Sequence, residues 1–245
     1  PLNSILGYAQ LLEDDPAIPE HRREAVKVIR RGGDHLLGLI EGTLDIARIE
    51  AGRLALAIAP MDFDAAVGDL ARLFELQAEA KGLRFVHQRT TALPARVRAD
   101  EKRLKQILIN LLGNAVKFTR RGCVTLRTGY HNEMARFEIE DTGPGMDEAE
   151  RQRVFEPFVR GTAAGGDACG GTGLGLTIAR MLTELMGGEM AVKSTPGVGT
   201  TFTIRLFLPE VSAALMPDAG SRAQRTGYLG PRRRVLVVSR GSRTR

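Results

Sequence analysis

Val26, Ile29, Gly33, Leu36, Ile40, Leu44 and Ala47 are apolar or small residues recurring at steps of three and four. That spacing approximates a heptad seam and predicts one long helix over about residues 20–50. Leu37 lies beside the seam and widens it. Residues 1–14 predict a shorter helix, with Leu2, Ile5, Leu6 and Leu12 at helical spacing. Pro16 and Pro19 mark the loop between the two. Helices joined by so short a loop form an antiparallel hairpin. A hairpin of this size leaves its seam uncovered. A second copy would cover it in a dimeric four-helix bundle; alternatively, the seam packs on the domain that follows.

Past Gly52 the pattern changes. Strands are expected near 54–59, 83–89 and 95–98, and helices near 63–81 and 101–118. A β-hairpin follows near 122–130 and 134–141. Residues 142–173 are glycine-rich and read as a loop. A helix near 174–186 and strands near 189–194 and 200–208 close the region. This order predicts an α+β chain: the helical hairpin over 1–53, then a two-layer α/β sandwich over 54–210, with one sheet covered on one face by helices. Pro209 marks the end of the domain, and 211–231 reads as a linker.

Composition narrows the function classes. Apolar residues make up 43% and charged residues 26%, as in ordinary globular proteins. No run of about 18 apolar residues occurs, so no membrane-spanning helix is expected within these residues; the setting expected is cytoplasmic, with the parent protein open to a membrane anchor. The net charge is +6, but residues 221–245 hold eight arginines and no acid, leaving the first 220 at −2. A near-neutral folded part gives no argument for a nucleic-acid partner. Cys123 and Cys169 form no CxxC pattern, which points to a reducing compartment and to neither a zinc site nor a disulfide framework.

Three stretches carry chemistry. In the helix 101–118, Leu104, Leu108, Leu111, Ala115 and Phe118 form an apolar stripe, and Asn110, Asn114 and Lys117 cluster on its flank. Amide oxygens suit Mg²⁺, and a lysine suits phosphate; a solvated face with two incidental amides is the plainer alternative. In the strand 134–141, Ala135, Phe137 and Ile139 share one face, and the parity places Asp141 on it. An inward carboxylate needs a donor, which the exocyclic amine of adenine would supply; otherwise Asp141 is a turn residue ended by Gly143, Pro144 and Gly145. Finally, Gly170, Gly171, Gly173 and Gly175 open onto a helix, whose N-terminal N–H groups suit phosphate oxygens. A flexible hinge would explain these glycines equally well.

Together, these stretches resemble the ATP-binding domain of sensor histidine kinases of two-component systems. DEKRLKQILINLLGNAVKFT (100–119) is similar to that family's N box, and DTGPGM (141–146) to its first glycine box. FEPF (155–158) resembles the F box, GGTGLGLTIA (170–179) the second glycine box, and TPGVGTTFTIRLFLP (195–209) the closing segment. PLNSILGYAQLL resembles the end of the H box, and GTLDIARIEAGRL (42–54) the end of the dimerisation helices. The resemblance implies ATP and Mg²⁺ as cofactors and phosphoryl transfer to a histidine, with relay to an aspartate on a response-regulator receiver domain. It implies that Asn114 holds the metal, that Asn110 and Lys117 face the triphosphate as catalytic residues, and that Asp141 recognises adenine. Gly143 and Gly145 would shape the adenine pocket. Gly171, Thr172, Gly173, Leu174, Gly175 and Thr201 complete the implied ATP-binding set, and Phe155 and Phe158 would anchor the lid. Arg160 is a surface residue that could reach a phosphate. A homodimer through residues 1–50 is implied as well.

Two departures accompany the resemblance. The family's H box reads His-Glu-x-Arg-Thr-Pro, so the acceptor histidine would lie five residues before Pro1. The chain's own histidines, His21, His35, His87 and His131, lack that context and read as surface residues. The expectation is a chain that binds ATP without phosphorylating itself, with a non-catalytic nucleotide-binding module or another ATPase of the same fold as alternatives. RRRVLVV (232–238), in the basic tail 232–245, resembles the first strand of a receiver domain, but Ser239 and Arg240 stand where an acidic pair would follow.

Overall fold

The computed structural model describes residues 1–159 and 172–211. Arg160, Cys169, Gly170 and Gly171, the linker 211–231 beyond Val211 and the tail 232–245 lie outside the described residues.

Helices α1 (Leu2–Asp14) and α2 (Glu20–Glu50) form the expected antiparallel hairpin. Gly33 makes their close approach possible: a Cβ there would stand 2.6 Å from Leu6 Cδ2. Arg30 donates to Glu13 across the pair at 2.6 Å. Only Ala9, Gly33 and Gly42 are buried in the two helices, while Ile5, Tyr8, Ile29, Leu36, Ile40 and Leu44 are exposed.

The remainder is a two-layer sandwich. Strand β1 (Ala59–Asp62), helix α3 (Phe63–Ala80), strands β2 (Arg84–Arg89) and β3 (Arg96–Ala99) and helix α4 (Glu101–Phe118) come first. The hairpin β4 (Cys123–His131) and β5 (Met134–Asp141) follows, then helices α5 (Glu148–Arg153) and α6 (Gly175–Leu185) and strands β6 (Glu189–Thr195) and β7 (Gly199–Phe207). Five strands make one mixed sheet in the order β2-β4-β5-β7-β6, in which only β2 and β4 run parallel. Alternation sets the faces. Ala135, Phe137 and Ile139 of β5 and Phe202, Ile204 and Leu206 of β7 are buried beneath the helices. Phe63 of α3 meets Phe137 edge-on at 6.0 Å. On the open face, Arg127 bridges to Glu138 at 2.8 Å and pairs with Glu140.

Four expectations need correction. The sheet is not single, because β1 and β3 form a separate two-stranded ribbon. The strand expected at 54–59 has no ladder partner before Ala59: Leu54 is buried, Ile58 is exposed, and Ala57 N–H is taken by Asp100 Oδ2 at 2.8 Å. The glycine-rich stretch contains α5, started by a reciprocal capping box between Asp147 and Glu150. His87 is half-buried in β2, with Nε2 3.4 Å from Thr128 Oγ1, and burial and Arg89 push its pKa down.

Candidate functional site

Helix α4 carries the site. Asp100 caps it by accepting from Arg103 N–H at 3.0 Å. Leu104, Ile107, Leu108, Leu111, Leu112, Ala115 and Val116 bury its inner face. The stripe ends one turn earlier than the sequence suggests, since Phe118 is 37% exposed with Lys117 Nζ 4.6 Å above its ring. Asn110, Asn114 and Lys117 are half-buried along the flank.

At the far end of α4 lies Asp141. Its side chain is buried on the helix-covered face, as the parity of β5 requires. Oδ1 accepts from Gly143 N–H at 2.9 Å, and the Thr200 N–H donates to the same carboxylate. Burial outweighs those two donors and pushes the pKa up to about 6. Gly143 lets the loop pass close to the carboxylate: a Cβ would stand 2.7 Å from Asp141 Oδ1, so a larger residue would have to displace that side chain. The loop is tied to the β6–β7 turn: Gly197 N–H donates to Pro144 O at 2.7 Å, and Met146 N–H donates to Ser194 Oγ at 2.8 Å. Gly145, at φ 67°, leaves no room for a Cβ beside the Thr195 carbonyl.

Midway along α4, where the amide flank begins, α6 starts against Asn110. A Cβ on Gly175 would be 3.3 Å from Asn110 Oδ1. Gly173, at φ 72°, packs on the Phe158 backbone and accepts the Phe158 N–H at 3.1 Å. Phe155 is held by Thr177 Oγ1, which donates to its carbonyl at 2.9 Å, and by an edge contact with Phe202 at 6.3 Å. The Asp141 pocket and the glycine turn are thus brought to the two ends of one helical flank. Residues 110 and 119 are about 14 Å apart along that axis at the ordinary helical rise.

Residues 1–52 match the His Kinase A (phospho-acceptor) domain, and residues 99–210 match the histidine kinase-, DNA gyrase B- and HSP90-like ATPase family. The chain belongs to the sensor histidine kinases. It is 35% identical to the autoinducer 2 sensor kinase/phosphatase LuxQ of Vibrio parahaemolyticus over 97% of its own length and 28% of that protein. It is 38% identical to the aerobic respiration control sensor protein ArcB of Escherichia coli over 86% of its own length and 27% of that one. The chain therefore spans little more than a quarter of these relatives. Among solved structures, full-length ShkA in complex with AMPPNP superposes with a TM-score of 0.72 at 38% identity, over 88% of this chain and 44% of ShkA. Among the described residues of this histidine kinase chain, no helix is long and apolar enough to cross a membrane.

Two of the expected site residues sit differently from their sequence reading. Thr201 pairs with Glu140 and Lys193 on the open face, whereas its neighbour Thr200 stands opposite Asp141 on the buried one. A one-residue step along a strand reverses the face, so Thr200 is the threonine beside Asp141. Leu174 is fully buried, which leaves only its backbone for a ligand. Sequence reading also missed Thr119 and Ser194. Thr119 is buried with an unpartnered Oγ1, and Ser194 Oγ is 2.9 Å from Thr200 Oγ1. The period-2 pattern of Phe202, Ile204 and Leu206 would have marked Thr200; nothing local marks the other two.

Proposed function

We propose that this chain binds Mg-ATP along the flank of α4 and serves as the kinase core that transfers the γ-phosphoryl to a protein histidine. The observation that carries the reading is the placement of a buried, donor-seeking carboxylate and a helix N-terminus at opposite ends of one amide- and lysine-bearing helix face. Asp141 would accept from the exocyclic amine of adenine, with Gly143 and Gly145 allowing the ring close to the backbone. Asn110 and Lys117 would face the triphosphate, joined by backbone N–H groups of Thr172, Gly173, Leu174 and Gly175 at the start of α6. Thr200, rather than Thr201, would complete the adenine end.

A magnesium ion fits this donor set. Among the described residues no group of three His, Cys, Asp or Glu side chains is placed to cage a metal. The ion would ride on the phosphates, and the Asn114 amide oxygen is the hard protein donor on the same flank. Its chemistry would be to neutralise charge on the β- and γ-phosphates. The residues do the rest by position and charge: Lys117 offsets negative charge that builds on the transferring group, and Asn110 fixes its orientation. The bond from γ-phosphorus to the bridging oxygen would break and ADP leave with that oxygen as a bond forms to the unprotonated nitrogen of the acceptor imidazole, whose other ring nitrogen then gives up its proton to solvent.

The exposed seam of α1 and α2 supports dimerisation, and an aspartate of a response-regulator receiver domain would be the next acceptor. Calorimetric titration with ATP, with and without Mg²⁺, tests the binding. Binding that strengthens with Mg²⁺ is expected; a folded chain that ignores millimolar ATP refutes the reading. Mixing with a chain that carries a His-Glu-x-Arg-Thr-Pro segment tests the transfer. Acid-labile label on that histidine is expected, and ATP binding without label would instead mark a non-catalytic nucleotide-binding module.

A further inference from the structure

Helix α2 has a second face besides the exposed seam. Gly38, Leu39, Gly42, Asp45, Ile46 and Ile49 recur at steps of one and three and turn toward the sandwich. Leu39, Ile46 and Ile49 pack against the domain core. A Cβ on Gly42 would lie 2.9 Å from Leu174 Cδ1 and 3.2 Å from Ile178 Cδ1, and one on Gly38 would lie 3.6 Å from Thr172 Cγ2. The hairpin therefore rests directly on the turn that opens α6.

One charged cluster closes this contact. Asp45 accepts from Gln106 Nε2 at 3.0 Å and from Arg103 Nη1 at 3.3 Å, and Arg103 Nη1 also donates to Gln106 Oε1 at 2.8 Å. The ionic side chains are only 17% and 14% exposed, so neither can exchange its partner freely for water. Gln106 stands one helical turn before Asn110. The same α2 face thus grips the helix of the amides and covers the glycine turn, and Asp45 lines a cavity that Asn110 also borders.

We propose that Asp45 is a positioning residue, clamping α2 onto α4 so that the Gly38–Gly42 face props the 172–175 turn in the shape that receives phosphate. The inference rests on the nucleotide reading above. Gly173 holds a left-handed backbone, and Leu174 is wholly buried partly because α2 lies over it. With α2 released, Leu174 gains solvent and the turn has more conformations to give up on binding. Coupling of this kind is reciprocal, so a bound triphosphate also tightens the seating of α2.

The test compares ATP and adenosine binding by the full chain, its Asp45→Ala variant and the charge swap Asp45→Arg with Arg103→Asp. Asp45→Ala is expected to weaken Mg-ATP three- to tenfold and to leave adenosine, which has no phosphates to meet the turn, unchanged. The swap is expected to recover most of the ATP affinity. The clamp is overturned if Asp45→Ala binds ATP as the wild type does, if it loses both ligands alike, or if the swap recovers nothing. A wild-type chain that binds neither ligand overturns the nucleotide reading itself, and the clamp with it.

Discussion

If Asp141 receives adenine, it is the residue on which stability and function pull in opposite directions. Its folded-state pKa lies above the ordinary 3.8, at about 6, because burial disfavours the carboxylate. The folded chain therefore holds the proton more tightly than the unfolded one, and stability falls as pH rises from about 4 to about 6. Asp141→Asn keeps an oxygen for the Gly143 and Thr200 N–H groups but carries no charge. Urea unfolding of the ligand-free variant at pH 8 should show a gain of about 1–3 kcal/mol over wild type, a gain that shrinks toward pH 4. A variant no more stable than wild type at pH 8 removes the desolvation argument. The same substitution should weaken ATP by about 1.5–3 kcal/mol, the scale of a hydrogen bond to a charged acceptor. Comparing wild type with variant at each pH cancels the nucleotide's own titration; the affinity gap should narrow below pH 6. Thr119 offers a second case. Its buried, unpartnered hydroxyl costs stability, so Thr119→Val should raise the ligand-free unfolding free energy by roughly 1 kcal/mol. A loss of that size would mean the hydroxyl has a partner after all.

At the scale of elements, what the sequence revealed depended on how local each cause is. The period of α4 and the parity of β5 are carried by neighbours in the chain, so the amide flank and the inward Asp141 could be read directly. Parity was equally available in β7, where Phe202, Ile204 and Leu206 define the buried face and include Thr200; the resemblance pointed one residue away. The capping box that starts α5 is also local, with Asp147 three residues before Glu150. By contrast, the pairing of β1 with β3 and the Asp45–Arg103 contact join residues far apart in sequence, and no periodicity announces either. The loop after β5 is the element most sensitive to a single methyl group. Gly145→Ala forces a left-handed alanine into the Thr195 carbonyl and Pro196. Strain alone is of order 1–3 kcal/mol, and the collision adds to it. Thermal unfolding should drop by several degrees, and hydrogen exchange should rise in 143–146. Unchanged exchange there would show that the turn is not held in this conformation.

For the whole molecule, α2 has to serve two surfaces at once. Its inner face, from Gly38 to Ile49, is covered by α4 and α6, while Ile29, Leu36, Ile40 and Leu44 remain 44–56% exposed on another side. Ile5, Tyr8 and Leu12 of α1 and Ile29 of α2 are exposed and, with half-buried Val26, line an apolar cleft of about 310 Å³. An exposed apolar face running the length of a hairpin is an association surface, and a self-complementary two-fold pairing would bury it against its own copy. Because the two faces of α2 are distinct, dimerisation and domain docking need not compete. Replacing Leu36 and Ile40 by glutamate should therefore convert a dimer to a monomer in analytical ultracentrifugation while ATP affinity stays within about threefold of wild type, a difference below 1 kcal/mol. A double variant that stays dimeric would place the association surface elsewhere. One that becomes monomeric and also loses ATP would show that the two faces are energetically joined, so that the nucleotide site depends on the second copy as well as on the clamp at Asp45.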